Sequence, residues 1–259
     1  EWCRPNITWD PRIAVSADGL HWSNWQSLSV AGRWDTYPAA VYDTASERWA
    51  IIHRGCNAVT GRIYNSPGDC GEPVSSGLRV PVVSFSSSKD FRGPWAGRPQ
   101  VMAGLNGGSV YNVSDRSAFS QQPDQVTPFR YAGMWLAFLN QIEVSPGPDG
   151  AGHTVAGAGP DMTLQAELVS SVDLVHWRRL KRGEPFLARG GDGSGAGDAC
   201  ASYGSRTPIV SGNTTRLFFE GADGNFDSWR HNSLFAAEMP SHSWAGMRAR
   251  TSSAVSITT

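Results

Sequence analysis

Apolar and polar residues alternate over short stretches of this chain, and no stretch keeps the ~3.6-residue period of an amphipathic helix. Runs rich in β-branched and aromatic residues are separated by clusters of glycine, proline, serine and asparagine, which is typical of strands joined by turns. Strands are predicted over residues 12–16, 36–42, 48–54, 78–86, 109–113, 133–143, 164–170, 200–210, 215–220 and 233–239. The pattern therefore predicts an all-β chain with almost no helix.

A short motif recurs three times and follows a predicted strand each time. It reads SADGLHW at 16–22, SKDFRGPW at 88–95 and SVDLVHW at 171–177. Serine and aspartate side chains hydrogen-bond to the backbone of tight turns, which explains their place in the motif. The tryptophan that ends each copy begins the next strand, where it can pack between neighbouring sheets. We therefore expect Trp22, Trp95 and Trp177 to be buried at the junctions between sheets.

The order of strands and motifs also repeats along the chain. Units of about four strands that recur in sequence are typical of a β-propeller, whose sheets are arranged radially around a central axis. We divide the single predicted domain into a partial blade at 1–30, blades at 31–105, 106–190 and 191–250, and a closing tail at 251–259. About four blades are thus discernible.

The third copy of the motif resembles the S-x-D-L-x-H-W signature of five-bladed propeller glycoside hydrolases, namely the invertase, levansucrase and arabinanase-like families. The segments GRWDTYPAAVYDTASERWAIIHRG, MWLAFLNQIE, GDACASYGSRTPIV and TTRLFFEGADG are similar, in blade order, to uncharacterised invertase-like proteins. The resemblance covers most of residues 10–250. It implies a five-bladed propeller and a function on glycans.

The catalytic motifs of invertases are not matched. An invertase carries N-D-P, R-D-P and E-C motifs. Here Trp9-Asp10-Pro11 matches the first motif only in its last two residues, and Arg206-Thr207-Pro208 lacks the aspartate of the second. The sequence contains no Glu-Cys pair. The invertase triad therefore cannot be transferred to this sequence. A five-bladed relative would also have about one more blade upstream, so either the chain is a fragment or the tail helps to close the ring.

Candidate catalytic acids are found where first strands begin, because equivalent positions of different blades converge on the axis of a propeller. Glycoside hydrolysis usually needs two carboxyl groups on opposite sides of the scissile bond. Asp35 and Asp198 precede two predicted first strands, Asp115 follows a third, and Glu143 and Glu220 end second strands. The alternative is that these acids cap turns or pair with nearby arginines.

Side chains near these acids are candidates for substrate binding. Aromatic faces can stack on the apolar faces of pyranose rings, and histidine or arginine can bind a hydroxyl or carboxylate. The candidates are Trp34, Tyr37, His53, Arg54, Tyr111, Tyr203, Arg206 and Trp229. Most of the 11 tryptophans are better explained by packing between blades, and a lone histidine is more often a hydrogen-bonded core residue.

Composition narrows the classes of partner. Lys plus Arg is 22 and Asp plus Glu is 23, so the balanced charge disfavours nucleic acid. No apolar run approaches the ~20 residues that span a bilayer, which argues against membrane insertion. None of the 4 cysteines lies in a zinc-ligand spacing, and the glycine-rich segment 190–198 is no nucleotide motif, so we expect neither metal nor cofactor.

Cysteines and sequons point to an extracellular protein. Cys56 and Cys70 bracket a segment rich in glycine, proline and asparagine, which favours a disulfide closing a hairpin; free thiols are the alternative. Sequons at Asn6, Asn112 and Asn213 fit glycosylation.

Two functions agree with the sequence. The first is a secreted glycoside hydrolase-like propeller that acts on a glycan through carboxylates in a central pocket. The second is a non-catalytic propeller that binds a glycan or another protein in an extracellular assembly. Whether the chain is an enzyme stays open at this point, because function lies in the site rather than in the fold.

Overall fold

The computed structural model describes residues 12–28, 30, 38–58, 77–95, 99–105, 120–144, 162–188, 201–204, 207–222, 232–241, 243–244, 246–247 and 257–258. Within these ranges every regular element is a strand and no helix occurs, which confirms the predicted all-β class. The closing of the sheets into a propeller stays a prediction.

The strands form an N-terminal hairpin, a four-stranded sheet, an eight-stranded sheet and a short C-terminal pair. We call the four-stranded sheet the first sheet, and the two antiparallel halves of the eight-stranded sheet, which one parallel pair joins, the second and third sheets. The N-terminal hairpin consists of β1 (Arg12–Val15) and β2 (Ser23–Ser27). The first sheet consists of β3 (Ala39–Asp43), β4 (Arg48–Ala58), β5 (Gly77–Phe85) and β6 (Gln100–Val101). The second sheet consists of β7 (Ser120–Tyr131), β8 (Met134–Val144), β9 (Met162–Ser171) and β10 (Trp177–Arg179).

The third sheet consists of β11 (Ala201–Gly204), β12 (Ile209–Ser211), β13 (Thr214–Ala222) and β14 (Asn232–Pro240). Both β11 and β12 pair with β13, so the strand predicted over 200–210 is interrupted. A parallel pair, Ala201 with Leu164, links the second and third sheets. The C-terminal strands β15 (Gly246–Met247) and β16 (Ile257–Thr258) pair with each other.

Apolar clusters lie between successive units, so that the units stack in chain order. Leu28 and Val30, after the hairpin, pack with Ile51 of the first sheet. A larger cluster between the first and second sheets includes Ile52, Val83, Phe85, Leu139 and Trp177. A third cluster between the second and third sheets includes Phe129, Phe138, Leu168, Leu217 and Trp244. Burial of these apolar faces is the main force that holds the sheets together.

The third copy of the repeated motif explains how its turn forms. Asp173 accepts backbone N–H bonds from Val175 (2.9 Å) and His176 (2.7 Å), and its other oxygen lies 2.7 Å from Nδ1 of His176. The Ser171 hydroxyl accepts the backbone N–H of Leu174 at 3.0 Å. Partial burial raises the pKa of Asp173, but the hydrogen bonds from His176, Val175 and Ser171 lower it more, to about 2.

The other two copies share this chemistry in part. In the first, Asp18 accepts the backbone N–H of His21 at 2.8 Å and lies 2.6 Å from its Nδ1, so the pKa of Asp18 is well below its usual range. In the second, Asp90 accepts both the backbone N–H and the Nε–H of Arg92 at 2.9 Å. The predicted role of the motif as a turn is therefore confirmed.

The predicted burial of the motif tryptophans is only partly correct. Trp177 is 6% exposed and Trp95 is half-buried against the hairpin and Phe91, whereas Trp22 is 57% exposed. Trp95 and Trp177 each contact the unit that precedes their own sheet. For Trp22 no preceding sheet occurs among the described residues, so the prediction is wrong for this tryptophan.

Candidate functional site

The two ends of the sheets differ in how their strands are connected. At one end, which we call the turn end, the chain reverses over short turns at 44–47, 132–133 and 212–213, and the motif turns of the first and second sheets lie there too. At the other, the loop end, the strand pairs Ala58–Gly77, Val144–Met162 and Ala222–Asn232 are joined by the longer segments 59–76, 145–161 and 223–231. First strands also begin at the loop end.

Polar side chains collect toward the loop end of the second sheet. Gln125 faces Asn140 across β7 and β8, and the Asn140 amide donates to Oε1 of Gln125 at 3.4 Å. One step closer to the loop end, Gln141 is paired with Gln165 of β9. Asn140 and Gln141 are fully buried. Toward the turn end, β8 carries buried apolar residues such as Leu139.

Asp124 is a buried carboxyl group in this polar region, and it lies at an irregularity of the sheet. The register between β7 and β8 shifts between Pro123 and Gln125, so Asp124 is the extra residue of a β-bulge. Bulges redirect side chains and are frequent beside active sites. Asp124 is 7% exposed and lies in a strand at the edge of its sheet. It is the acid in the first strand of the second sheet.

Sequence reasoning missed Asp124 because it missed β7. It predicted the first strand of this unit at 109–113, outside the described residues, and therefore chose Asp115, which also lies outside them. Pro123 and Pro128 make 120–131 look unlike a strand, since proline donates no backbone hydrogen bond. They are tolerated because β7 lies at the edge of its sheet. The signal that could have found β7 is the Ala132-Gly133 turn, which closes a hairpin with the predicted β8.

Several predicted site residues lie outside the described residues. They are Asp35, Asp198, Trp34, Tyr37, Tyr111, Arg206 and Trp229. The chain positions of Asp35 and Asp198 are nevertheless informative: they come shortly before Ala39 and Ala201, which begin β3 and β11 at the loop end. These two assignments stay predictions.

Other predicted residues are placed by their strands. Glu143 lies near the loop end of β8, paired with Gln121 and Thr163. Glu220 of β13 is exposed and is paired with Tyr203 of β11. Both positions are close to the loop end, as predicted, and no structural finding tests their roles.

His53 and Arg54 lie side by side on β4, opposite Val82 and Pro81 of β5. His53 is 3% exposed, on the same side of the sheet as Ile51. A ligand could therefore reach its ring only if the neighbouring groups moved. This burial favours the alternative reading of His53 as a core histidine.

The remaining site predictions are not tested. Cys56 lies on β4, whereas Cys70 lies outside the described residues, as do Asn6 and Asn112. Asn213 is exposed in the Gly212–Asn213 turn. Among the described residues, no group of three or more histidine, cysteine, aspartate or glutamate side chains is placed to hold a metal ion. No helix of the described ranges is long and apolar enough to cross a membrane.

First strands of all three sheets meet around one cleft at the turn end. Its volume is about 340 Å³, and β3, β7 and β12 contribute to its wall through residues 41–42, residues 128–131 and Val210. Thr207 and Pro208, just before β12, also line it. Arg130 of β7 donates to Oδ1 of Asp43 of β3 at 3.0 Å, which ties the two strands directly. The three first strands therefore converge, as they would around the axis of a propeller.

No protein-family model matches the sequence, and no curated protein matches it. Solved structures do resemble the fold. A chain of an N-acetylgalactosamine deacetylase from F. plautii, in complex with blood group B trisaccharide, is 16% identical with a TM-score of 0.55; the match covers 90% of this chain and 65% of that one. A glycoside hydrolase is 11% identical with a TM-score of 0.51, over 88% of this chain and 56% of that one.

This chain thus spans less than two thirds of the length of either neighbour. At these identities the likeness establishes a shared fold and nothing about chemistry. The chain shares its fold with a large part of two glycan-acting enzymes. This agrees with the glycoside hydrolase-like fold that the sequence motifs implied.

Proposed function

We propose that this chain is a propeller-like glycoside hydrolase whose site lies at the loop end, where Asp35 and Asp198 precede β3 and β11 in the sequence and Asp124 lies in the loop-end half of β7. The observation that carries the proposal is the convergence of β3, β7 and β12 around one cleft. In a propeller the first strands run side by side along the axis, so their loop ends would lie in one region as well. Three carboxyl groups would then surround a central depression.

The chemistry of such a site is that of paired carboxyl groups. One carboxylic acid protonates the leaving oxygen of the glycosidic bond, and a second carboxylate attacks the sugar or activates water. Carboxylates that share a poorly solvated pocket repel each other, which raises the pKa of one of them and keeps it protonated at neutral pH. Asp124, in a buried bulge, is the best candidate for the acid, and Asp35 and Asp198 are candidates for the base or nucleophile.

Aromatic residues near these acids complete the proposed site. Trp34 and Tyr37 flank Asp35 in the sequence, and Tyr203 lies on β11 after Asp198. Their ring faces would stack on a pyranose. The glycan-acting neighbours and the balanced charge of the chain agree with a carbohydrate as the partner.

We also propose an extracellular location, which the sequon at Asn213 and the predicted Cys56–Cys70 disulfide favour. Asn213 lies in an exposed turn, where a glycosyltransferase could reach its sequon. Non-reducing peptide mapping checks the proposed Cys56–Cys70 bridge: a linked peptide pair is expected, and two free thiols would contradict it.

The proposal is tested by turnover on a panel of oligosaccharides, including blood group B trisaccharide, with release of reducing sugar as the readout. Asp124→Asn and Asp198→Asn should each reduce turnover by about 10²–10⁴-fold, because a positioned acid or base contributes that much. Glu184→Gln, an acid-to-amide change at an exposed side chain just after β10, is the matched control and should leave turnover unchanged.

Two outcomes would count against the proposed enzyme. Turnover that survives both aspartate changes would refute the assignment of these carboxylates. Binding on a glycan array without any turnover would instead favour the non-catalytic alternative, and the same substitutions should then only weaken binding. The missing invertase motifs are the specific observation that favours this alternative.

A further inference from the structure

The cleft at the turn end has a chemistry of its own. Its volume is about 340 Å³, which is in the lower range for small-molecule sites. Five aromatic residues line its described wall: Tyr42, Phe129, Tyr131, Trp135 and Trp244. None of the residues proposed for the glycan reaction is among the described residues of this wall, and the cleft lies at the opposite end of the first strands.

Among the described residues that line the cleft, the cationic one is Arg130. Its charge is neutralised by a carboxylate, and its position is fixed by hydrogen bonds. Its guanidinium donates to Asp43 at 3.0 Å and to the carbonyl oxygen of Gly133 at 3.0 Å. Its charged carbon also lies 4.4 Å from the centre of the Trp135 ring, which is a cation–π distance. The cleft therefore presents a fixed, charge-balanced wall, which favours a neutral ligand over a free anion or cation.

Two indole N–H groups at the cleft lack an acceptor. Trp135 and Trp244 are 2% and 4% exposed, and among the described residues no group accepts a hydrogen bond from Nε1 of either ring. A buried donor that stays unsatisfied costs about 1–3 kcal/mol. Both rings line the cleft, so the cleft is the route by which an acceptor oxygen of water or of a ligand would reach these groups.

We propose that this cleft binds a neutral sugar ring, at a site distinct from the loop end. A pyranose has an apolar face that matches the rings of Tyr42 and Tyr131, and its hydroxyl oxygens supply acceptors for buried N–H groups. A single ring suits the cleft volume. The proposal does not rest on hydrolase activity, because the described part of the wall contains none of the proposed catalytic residues.

Titration with methyl β-D-glucopyranoside and methyl α-D-galactopyranoside tests the proposal, followed by the indole N–H signals in a nitrogen-15 NMR spectrum. Those of Trp135 and Trp244, assigned with tryptophan-to-phenylalanine variants, should shift as the site fills. A ligand of this size should bind with a Kd of the order of 1 mM. Tyr42→Ala should weaken binding by about five-fold, the typical loss of one aromatic contact.

Control variants separate this site from the others. Glu184→Gln, at an exposed ion pair outside the described wall of the cleft, and Trp25→Ala, at a tryptophan that is 65% exposed on the hairpin, should leave the titration unchanged. Cyclohexanol tests whether the cleft is simply apolar, and galacturonate tests its preference for neutral ligands; both should bind more weakly than the glycosides. Absence of saturable binding, unchanged binding in Tyr42→Ala, or equal binding of cyclohexanol would each overturn the proposal, whatever the turnover assay gives.

Discussion

Gly104 joins the first sheet to the second, and its replacement by alanine should be costly. The segment after β6 is held against the motif turn of the second sheet: Ala103 N–H donates to the carbonyl of Val175 at 2.8 Å, and Trp177 N–H donates to the carbonyl of Ala103 at 2.9 Å. Gly104 has a φ of 86°, and a Cβ added there would lie 2.1 Å from the carbonyl oxygen of Trp177.

The magnitude follows from two contributions. A left-handed backbone costs a residue with a Cβ about 1–2 kcal/mol. An atom 2.1 Å from a backbone oxygen must also move away by more than an ångström, which would strain or break the two hydrogen bonds, each worth about 0.5–1.5 kcal/mol. Gly104→Ala should therefore lower the free energy of unfolding by roughly 2–5 kcal/mol.

Gly133→Ala is the matched control. Its φ is 81°, nearly that of Gly104, but nothing lies within 4 Å of an added Cβ. This change should cost only the backbone term of about 1–2 kcal/mol. Urea unfolding followed by tryptophan fluorescence measures both variants. Equal losses would refute the view that close contact between the segment and the motif turn holds the two sheets together.

Two further predictions concern charged groups. Glu167→Gln should lower the free energy of unfolding by about 3–5 kcal/mol, because it leaves the buried Arg179 without its carboxylate. Glu184→Gln, at an exposed ion pair, should lower it by less than about 1 kcal/mol. Urea unfolding measures both variants, and comparable losses would contradict this prediction. Because the pKa of Asp173 falls to about 2 when folded, its stabilisation is present above pH ~4 and is lost as pH falls toward 2. Asp173→Asn should therefore be less stable than wild type at pH 7 and equal to it near pH 2, and a pH-independent difference in thermal unfolding would refute this.

Local chemistry was the part of the fold that could be predicted from the sequence. Alternation of apolar residues identified β4, β5, β8 and β14 because the strands bury one or both faces. The motif turn was predictable because Ser171 and Asp173 bond to backbone groups only a few residues away. Such interactions depend on the segment itself, so the sequence alone determines them.

Features that depend on distant partners could not be predicted. Trp22 and Trp177 occupy the same place in the motif, yet only Trp177 has a preceding sheet to cover it among the described residues. Asp124 was missed because a bulge is a property of the register between two strands, and because the edge position that permits Pro123 in β7 is set by the sheet. The cleft at the turn end likewise exists only after three first strands converge.

The positions of the carboxyl groups of Asp35, Asp124 and Asp198 in a crystal structure of this protein test the central claim most directly. If the starts of the three first strands share one glycan site, at least two of these carboxyl groups should face a common depression at the loop end and lie within about 10 Å of each other, as catalytic pairs in glycosidases do. Carboxyl groups that open on different faces of the molecule, or whose nearest separation exceeds about 15 Å, would contradict the account, because no glycosidic bond could then lie between them.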